Sequence, residues 1–182
     1  MAMDFRREML PGRGFEVKTG PAPESTARRF KLDLTTKLSD INRAVFNNDV
    51  AAIKQLAPKL HEEELTKATF LAASLRTTEE GTLHALFDFG APVNGRDGNG
   101  RTYLHEAAAN GNVDASIVLV KVGVDINAVR KDGTTAILEA SKSKQYGTVA
   151  VLDEMHADST IKNRYGENAV KAVELVRLRR DR

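Results

Sequence analysis

The 182-residue chain has no cysteine and no tryptophan, and aromatic residues make up only 5 % of it. Without thiols there is no disulfide framework, no zinc–thiolate or iron–sulfur centre and no thiol nucleophile. That composition suits a reducing compartment. No apolar run approaches the roughly 20 residues that span a bilayer. The opening MAMDFRREML carries charges where a secretory signal would need its apolar stretch. Scarce aromatics beside many Ala and Leu residues favour closely packed helices over a β-sandwich. The expectation is a cytoplasmic protein with no membrane segment.

Charge of one sign is also lacking. The formal net charge is +2, divided as +2 over residues 1–36, −3 over 37–120 and +3 over 121–182. None of these segments is the dense Lys/Arg field of a nucleic-acid-binding surface, so no nucleic acid is expected. The ending RLRRDR is a local basic cluster. It reads as a solvated helix end that complements the macrodipole, with contact to an acidic surface or use as an address as the alternatives.

Chemistry-bearing motifs fail one by one. His61-Glu62 begins like a zinc-protease helix, but Leu65 stands where the second His belongs. The four histidines, at positions 61, 84, 105 and 156, share no ligand-like spacing. Gly12 and Gly14 suggest a dinucleotide loop, yet Val17 replaces the third Gly, and no phosphate-loop Gly-Lys precedes a Ser or Thr. Asp97, Gly98 and Asn99 resemble the start of a calcium loop, but Arg101 occupies a ligand position and Ala108 replaces the closing Glu. A hairpin turn is the better reading there. No catalytic residue, cofactor or metal is expected.

What the sequence does have is self-similarity. Shifted by one fixed interval, GRTYLHEAA at 100–108 falls on GTTAILEAS at 133–141, then on GENAVKAVE at 166–174, and backwards on KATFLAASL at 67–75. Thr69, Thr102 and Thr135 coincide, as do Leu71, Leu104, Ile137 and Val170. Leu86, Leu119 and Leu152 align in the second half of the unit, followed by Gly90 with Gly123 and Asn94 with Asn127. A looser copy at 41–56 aligns with 104–119, and the step from it to the next copy is shortened by a small deletion.

A period of about 33 residues with these landmarks resembles the ankyrin repeat family. The unit at 100–127 carries most of the pattern in Gly100, Thr102, Leu104, His105, Ala107, Ala108, Gly111, Leu119, Gly123, Asp125 and Asn127. Every copy lacks the family's usual Pro after the Thr, with Phe70, Tyr103, Ala136 and Ala169 in its place, and His105 is matched by Ala72, Leu138 and Lys171. The fold class expected is all-α, an ankyrin-repeat solenoid of helix-turn-helix units with hairpin-like loops. Its repeats run at about 37–66, 67–99, 100–132 and 133–165, followed by a C-terminal capping helix at 166–182 and preceded by a flexible leader over 1–36.

The residues give the same unit physically. Thr102 can cap a helix, with His105 one turn on placed to share its hydroxyl. Ala107 and Ala108 permit close helix approach, and Asn110-Gly111 marks a turn. Ile117, Val118, Leu119 and Val120 form the apolar stretch of the second helix, which Gly123 stops in a left-handed conformation. The chain from Val124 to Asn127 then runs extended towards an Asp132-Gly133 turn. His156 stands where Gly90 and Gly123 stand, so it is expected to be left-handed at a cost of about 1 kcal/mol. No unit buries its apolar face alone, and stacking supplies the stability.

At the ends, Phe30, Leu32 and Leu34 alternate with charged residues and either cover the open face of the first repeat or bind a partner. Ser39 is the expected cap of the first helix. Val170, Val173 and Val176 line one face of the last helix, which reads as terminal because no full second half follows.

The resemblance implies recognition of another protein through a concave face built from hairpin tips and inner-helix surfaces. Tips fall at Leu65-Thr66, Gly98-Asn99, Lys131-Asp132 and Arg164-Tyr165. Asn99, Arg101, Tyr103, Lys131, Thr134, Lys142, Arg164 and Tyr165 are the expected partner-binding residues, with Arg101, Tyr103, Arg164 and Tyr165 as anchors and the lysines as rim charges, the alternative for Tyr103 being packing on the neighbouring inner helix. The expected protein is a non-enzymatic monomer. Alternatives are an inhibitor or immunity-type protein that occludes an enzyme, a secreted bacterial effector engaging a host protein, and an enzyme with a site assembled only in three dimensions.

Overall fold

The structure is a computed structural model and describes residues 40–180. The leader, the Phe30–Leu34 alternation and the Ser39 cap lie outside the described residues. Among those described, the order is α1 (Asp40–Phe46), α2 (Val50–Leu56), a 3₁₀ turn (Ala57–Lys59), α3 (Glu62–Ser74), α4 (Glu80–Asp88), α5 (Tyr103–Asn110), α6 (Val113–Lys121), α7 (Ala136–Lys142), α8 (Tyr146–Glu154) and α9 (Val170–Arg180). Two isolated antiparallel bridges, Arg96 with Thr102 and Val129 with Thr135, pinch the loops that precede α5 and α7.

Helices pair in chain order and stack in two rows. The inner row is α1, α3, α5 and α7, each against the next, and the outer row is α2, α4, α6 and α8. Ala68, Ala72, Ala107, Ala108, Ala136 and Ala140 are buried along the inner row, where a small side chain lets neighbouring helices close up. Leu83, Leu86, Leu104, Leu119, Ile137 and Leu152 fill the space between the rows and are fully buried. Each is worth roughly 1.5–3 kcal/mol relative to exposure. In α6 the helical period divides the apolar run: Val118 and Leu119 are buried with Ala115 and Ser116, while Ile117 and Val120 are only half-buried.

Local chemistry starts and stops these helices at the repeat period. The Asp49 and Asn112 side chains accept the backbone N–H of Ala52 at 2.9 Å and of Ala115 at 3.0 Å. Thr102 and His105 cap α5 together, with Nδ1 2.9 Å from the Thr102 hydroxyl and accepting its N–H at 3.2 Å. The other ring nitrogen lies 2.8 Å from the Thr134 carbonyl oxygen, tying α5 to the following loop. Left-handed residues recur after the outer helices at Gly90, Gly123 and His156, the last with φ 66°, so the backbone demand persists where the glycine does not. Lys144, φ 58°, takes the same conformation as Gly111, whose place it fills one repeat later.

One expectation needs correction. No hairpin tip exists at Leu65-Thr66, because both lie inside α3 and Leu65 is buried. The shortened step leaves less chain there. Glu62, Glu63 and Glu64 favour a helix N-terminus, and the Glu64 carboxylate accepts the His61 N–H at 3.2 Å. The C-terminal helix α9 ends in exposed arginines, as expected, and these are also paired. It packs on α8 through Ala172, Val173 and Val176, Arg177 pairs with Asp153 at 2.7 Å, Arg180 pairs with Glu154, and the Arg179 guanidinium lies 5.5 Å from the Tyr146 ring centre.

Candidate functional site

Three loops at the repeat period form successive tips, at 97–101, 130–134 and 163–167. Each is closed by the same two backbone bonds. In the first, the N–H of Asp97 donates to the Arg101 carbonyl at 3.0 Å and that of Gly100 to the Asp97 carbonyl at 2.9 Å. The last repeats this with Asn163, Glu167 and Gly166 at 3.0 Å each. Asp97 and Asn163 also accept two backbone N–H groups through one side-chain oxygen. Arg130 cannot accept, and Asp132 takes over by receiving the Thr134 N–H at 3.0 Å.

Adjacent tips are stitched together. The backbone N–H of Lys131 donates to the Asn99 carbonyl at 3.1 Å, and that of Arg164 to the Asp132 carbonyl at 2.8 Å. Side chains repeat the step: the Lys131 ammonium donates to the Gly98 carbonyl, and the Arg164 guanidinium to the Lys131 carbonyl at 2.9 Å. Arg96 reaches forward to the Val129 carbonyl, also at 2.9 Å. Behind the tips, ion pairs join loops to helices. Arg101 meets Glu106 at 2.9 Å, Arg130 meets both Asp132 at 2.8 Å and Glu139 at 3.1 Å, and Lys142 meets Glu167 at 2.7 Å. The hydrogen bonds from Arg130 hold the Asp132 carboxyl far below the usual carboxylate range, against an opposing effect of burial. Lys142 and Asn163 lower Glu167 in the same way.

The expected partner-binding residues separate into three groups. Asn99, Lys131, Arg164 and Tyr165 sit exposed on the tips, with Tyr165 68 % exposed. Arg101 is half-buried and faces Glu106, and Lys142 is exposed at the end of α7. Tyr103 and Thr134 are corrections, since both are fully buried. The Tyr103 ring packs between Phe70, 4.7 Å away between centroids, and Phe87 at 6.0 Å, and burial pushes its hydroxyl pKa up. Thr66 and Thr69 lie beside that hydroxyl, but Thr69 donates to the Leu65 carbonyl and the Tyr103 oxygen has no well-formed hydrogen bond. Thr134 receives His105 on its carbonyl and Asn163 on its hydroxyl, which makes it a tie between tips.

Sequence reasoning passed over Arg96, Arg130, Glu106 and Glu139. The two glutamates hold the same place in the aligned strings GRTYLHEAA and GTTAILEAS, and that recurrence is the signal of a carboxylate kept at the base of each tip. Among the described residues, no group of three or more His, Asp or Glu side chains is arranged to hold a metal ion, and no helix is long and apolar enough to cross a membrane.

Comparison with known proteins agrees with this geometry. The family model described as ankyrin repeats (3 copies) matches residues 41–130 and 69–163. The chain is similar to BCL-6 corepressor-like protein 1 of Homo sapiens, 34 % identical over 79 residues that cover 43 % of this chain and 4 % of that protein. It is also similar to Neurogenic locus notch homolog protein 2 of Homo sapiens, 27 % identical over 151 residues that cover 82 % of this chain and 6 % of that protein. The chain thus spans only a small part of the length of these relatives. Ankyrin repeats are generally protein–protein interaction modules and generally non-catalytic. With paired helices in two rows, loops closed alike from one repeat to the next and a family match over most of its length, the chain belongs to the ankyrin repeat family.

Proposed function

We propose that this chain recognises another protein, without catalysis, through its hairpin tips and the adjoining inner-helix surface. The recognition unit is taken as residues 37–182, working as a cytoplasmic monomer. Asn99, Lys131, Arg164 and Tyr165 form its outer contacts, with Arg101 and Lys142 behind them. One observation carries the reading: the tip backbones are bonded to one another, while their side chains differ in type and stand exposed. A backbone fixed before the partner arrives loses little entropy on binding. Arg164 and Tyr165 supply the residue types that contribute most when desolvated at an interface.

The experiment is affinity capture with the wild-type chain against an Arg164→Ala/Tyr165→Ala form, followed by titration of the captured protein. Loss of about 1–3 kcal/mol of affinity with an unchanged melting temperature supports the tip surface. Undiminished binding by the double variant places the interface elsewhere. Turnover in purified material would overturn the non-catalytic assignment.

A further inference from the structure

We propose that the partner presents an extended acidic segment in the polyproline II form that lies across the tips, its carboxylates spaced about three residues apart. This deepens the tip-surface reading and rests on it. The cations near the tips are of two kinds. Arg101, Arg130 and Lys142, at the tip bases, are each neutralised by a carboxylate. Arg96, Lys131 and Arg164 are not. Among the described residues they donate to backbone carbonyls only, at Val129 and Gly100, at Gly98, and at Lys131 respectively. Carbonyl contacts hold these side chains in place without cancelling their charge.

The neighbouring carboxylates do not neutralise this outer row. Glu106, Asp132 and Glu139 have largely buried side chains turned to Arg101 and Arg130. Asp97 is half-buried, accepts the N–H groups of Asn99 and Arg101, and is felt electrostatically by Arg130. Glu167 is taken by Lys142 and Asn163. A guanidinium has five donors, so Arg164 keeps most of its own for a ligand after its bond to Lys131.

Spacing selects the ligand. Each hairpin contributes two chain segments about 4.8 Å apart, so equivalent residues of successive tips recur about every 10 Å. A peptide in the extended polyproline II form advances about 3.1 Å per residue with three residues per turn, so every third side chain returns to the same face about 9 Å on, at a new tip. Tyr165 stands beside Arg164 as an exposed ring for a flanking apolar residue. A single-stranded nucleic acid would call for a series of stacking aromatics, and among the described tip residues Tyr165 is the aromatic one on the surface.

The test uses the full chain and two fluorescein-labelled peptides of identical composition, one with glutamate at every third position and one with the same glutamates contiguous. Fluorescence anisotropy is read at low and at physiological salt. The spaced isomer is expected to bind roughly tenfold tighter, the worth of one charge-assisted contact. Lys131→Ala/Arg164→Ala should erase that difference with the melting temperature unchanged, and Arg179→Ala/Arg180→Ala should preserve it. If the alanine form fails to fold, Lys131→Gln/Arg164→Gln keeps a donor for each carbonyl while removing the charge. Equal binding of the isomers, binding that survives loss of both charges, or preference for a labelled oligothymidylate overturns the proposal. If neither peptide binds while Arg164→Ala/Tyr165→Ala still loses the captured protein, the acidic segment is wrong and the tip surface stands. If that variant keeps the captured protein, the tip surface itself is wrong.

Discussion

Replacing Tyr103 separates a core residue from an interface anchor. Its ring is fully buried between Phe70 and Phe87, and its hydroxyl oxygen is buried without a well-formed hydrogen bond. Burying a hydroxyl without a partner costs about 1–3 kcal/mol on mutational scales. Tyr103→Phe keeps both ring contacts and removes that cost, so stability should hold or rise by about 1 kcal/mol. Tyr103→Ala deletes the ring and leaves a cavity, for a loss of about 3–5 kcal/mol. Urea unfolding followed by circular dichroism gives both numbers, and a titration of the captured protein with Tyr103→Phe should match wild type. A Phe variant destabilised by more than about 1 kcal/mol would mean that the hydroxyl is paired in solution. A well-folded Ala variant that loses the partner would return Tyr103 to the surface and refute the packing argument.

Other perturbations follow from the same geometry. A Cβ added at Gly95 falls 2.1 Å from the Tyr103 hydroxyl oxygen and 2.6 Å from the ring carbon that bears it, so Gly95→Ala should lower the urea midpoint clearly. Tyr103→Phe should only partly rescue that variant. His156→Gly removes a left-handed non-glycine residue and should raise the melting temperature by an amount equivalent to about 0.5–1 kcal/mol. Burial lowers the folded-state pKa of His105, so the unfolded chain binds the extra proton first as pH falls below 6.5. Its contribution to stability is therefore complete above that pH and is lost on acidification towards the folded pKa. Thermal melts should show this slope in wild type and a flatter one in His105→Gln.

The repeat, its helix pairs and its turns were legible because each rests on local chemistry that recurs at a fixed interval. Thr102 with His105, Asn112 as a cap and Gly123 as a stop need only neighbours within a few residues. The pattern misled where the chain kept the period in residue type but changed it in length. The shortened step, with three glutamates after His61, turned an expected tip into the first turn of α3. Tyr103 misled for a different reason. Whether an aromatic at the position after the cap packs or protrudes depends on its surroundings, and here Phe70, Phe87 and Gly95 make room for it. Those neighbours come from three separate stretches of sequence. One ion pair behind the tips was hidden likewise, since Lys142 meets Glu167 across 25 residues.

Charge placement divides the surface cations into those paired with carboxylates and those that rest on backbone carbonyls. An arginine that meets a carboxylate in a mostly buried pair, as Arg101 meets Glu106, cannot lose either member without stranding the other, so such a pair fixes the loop on its helix. A cation that rests on a backbone carbonyl, as Lys131 and Arg164 do, strands no opposite charge when it is replaced. The α9 arginines show the first use in a more exposed setting, where Arg177 meets Asp153 and Arg180 meets Glu154 on α8. Net charge conceals this division, because the −3 over residues 37–120 and the +3 over 121–182 cancel. In the proposed tip surface, these carbonyl-bound cations are therefore the positions at which the repeat framework can be matched to a partner of different charge without refolding.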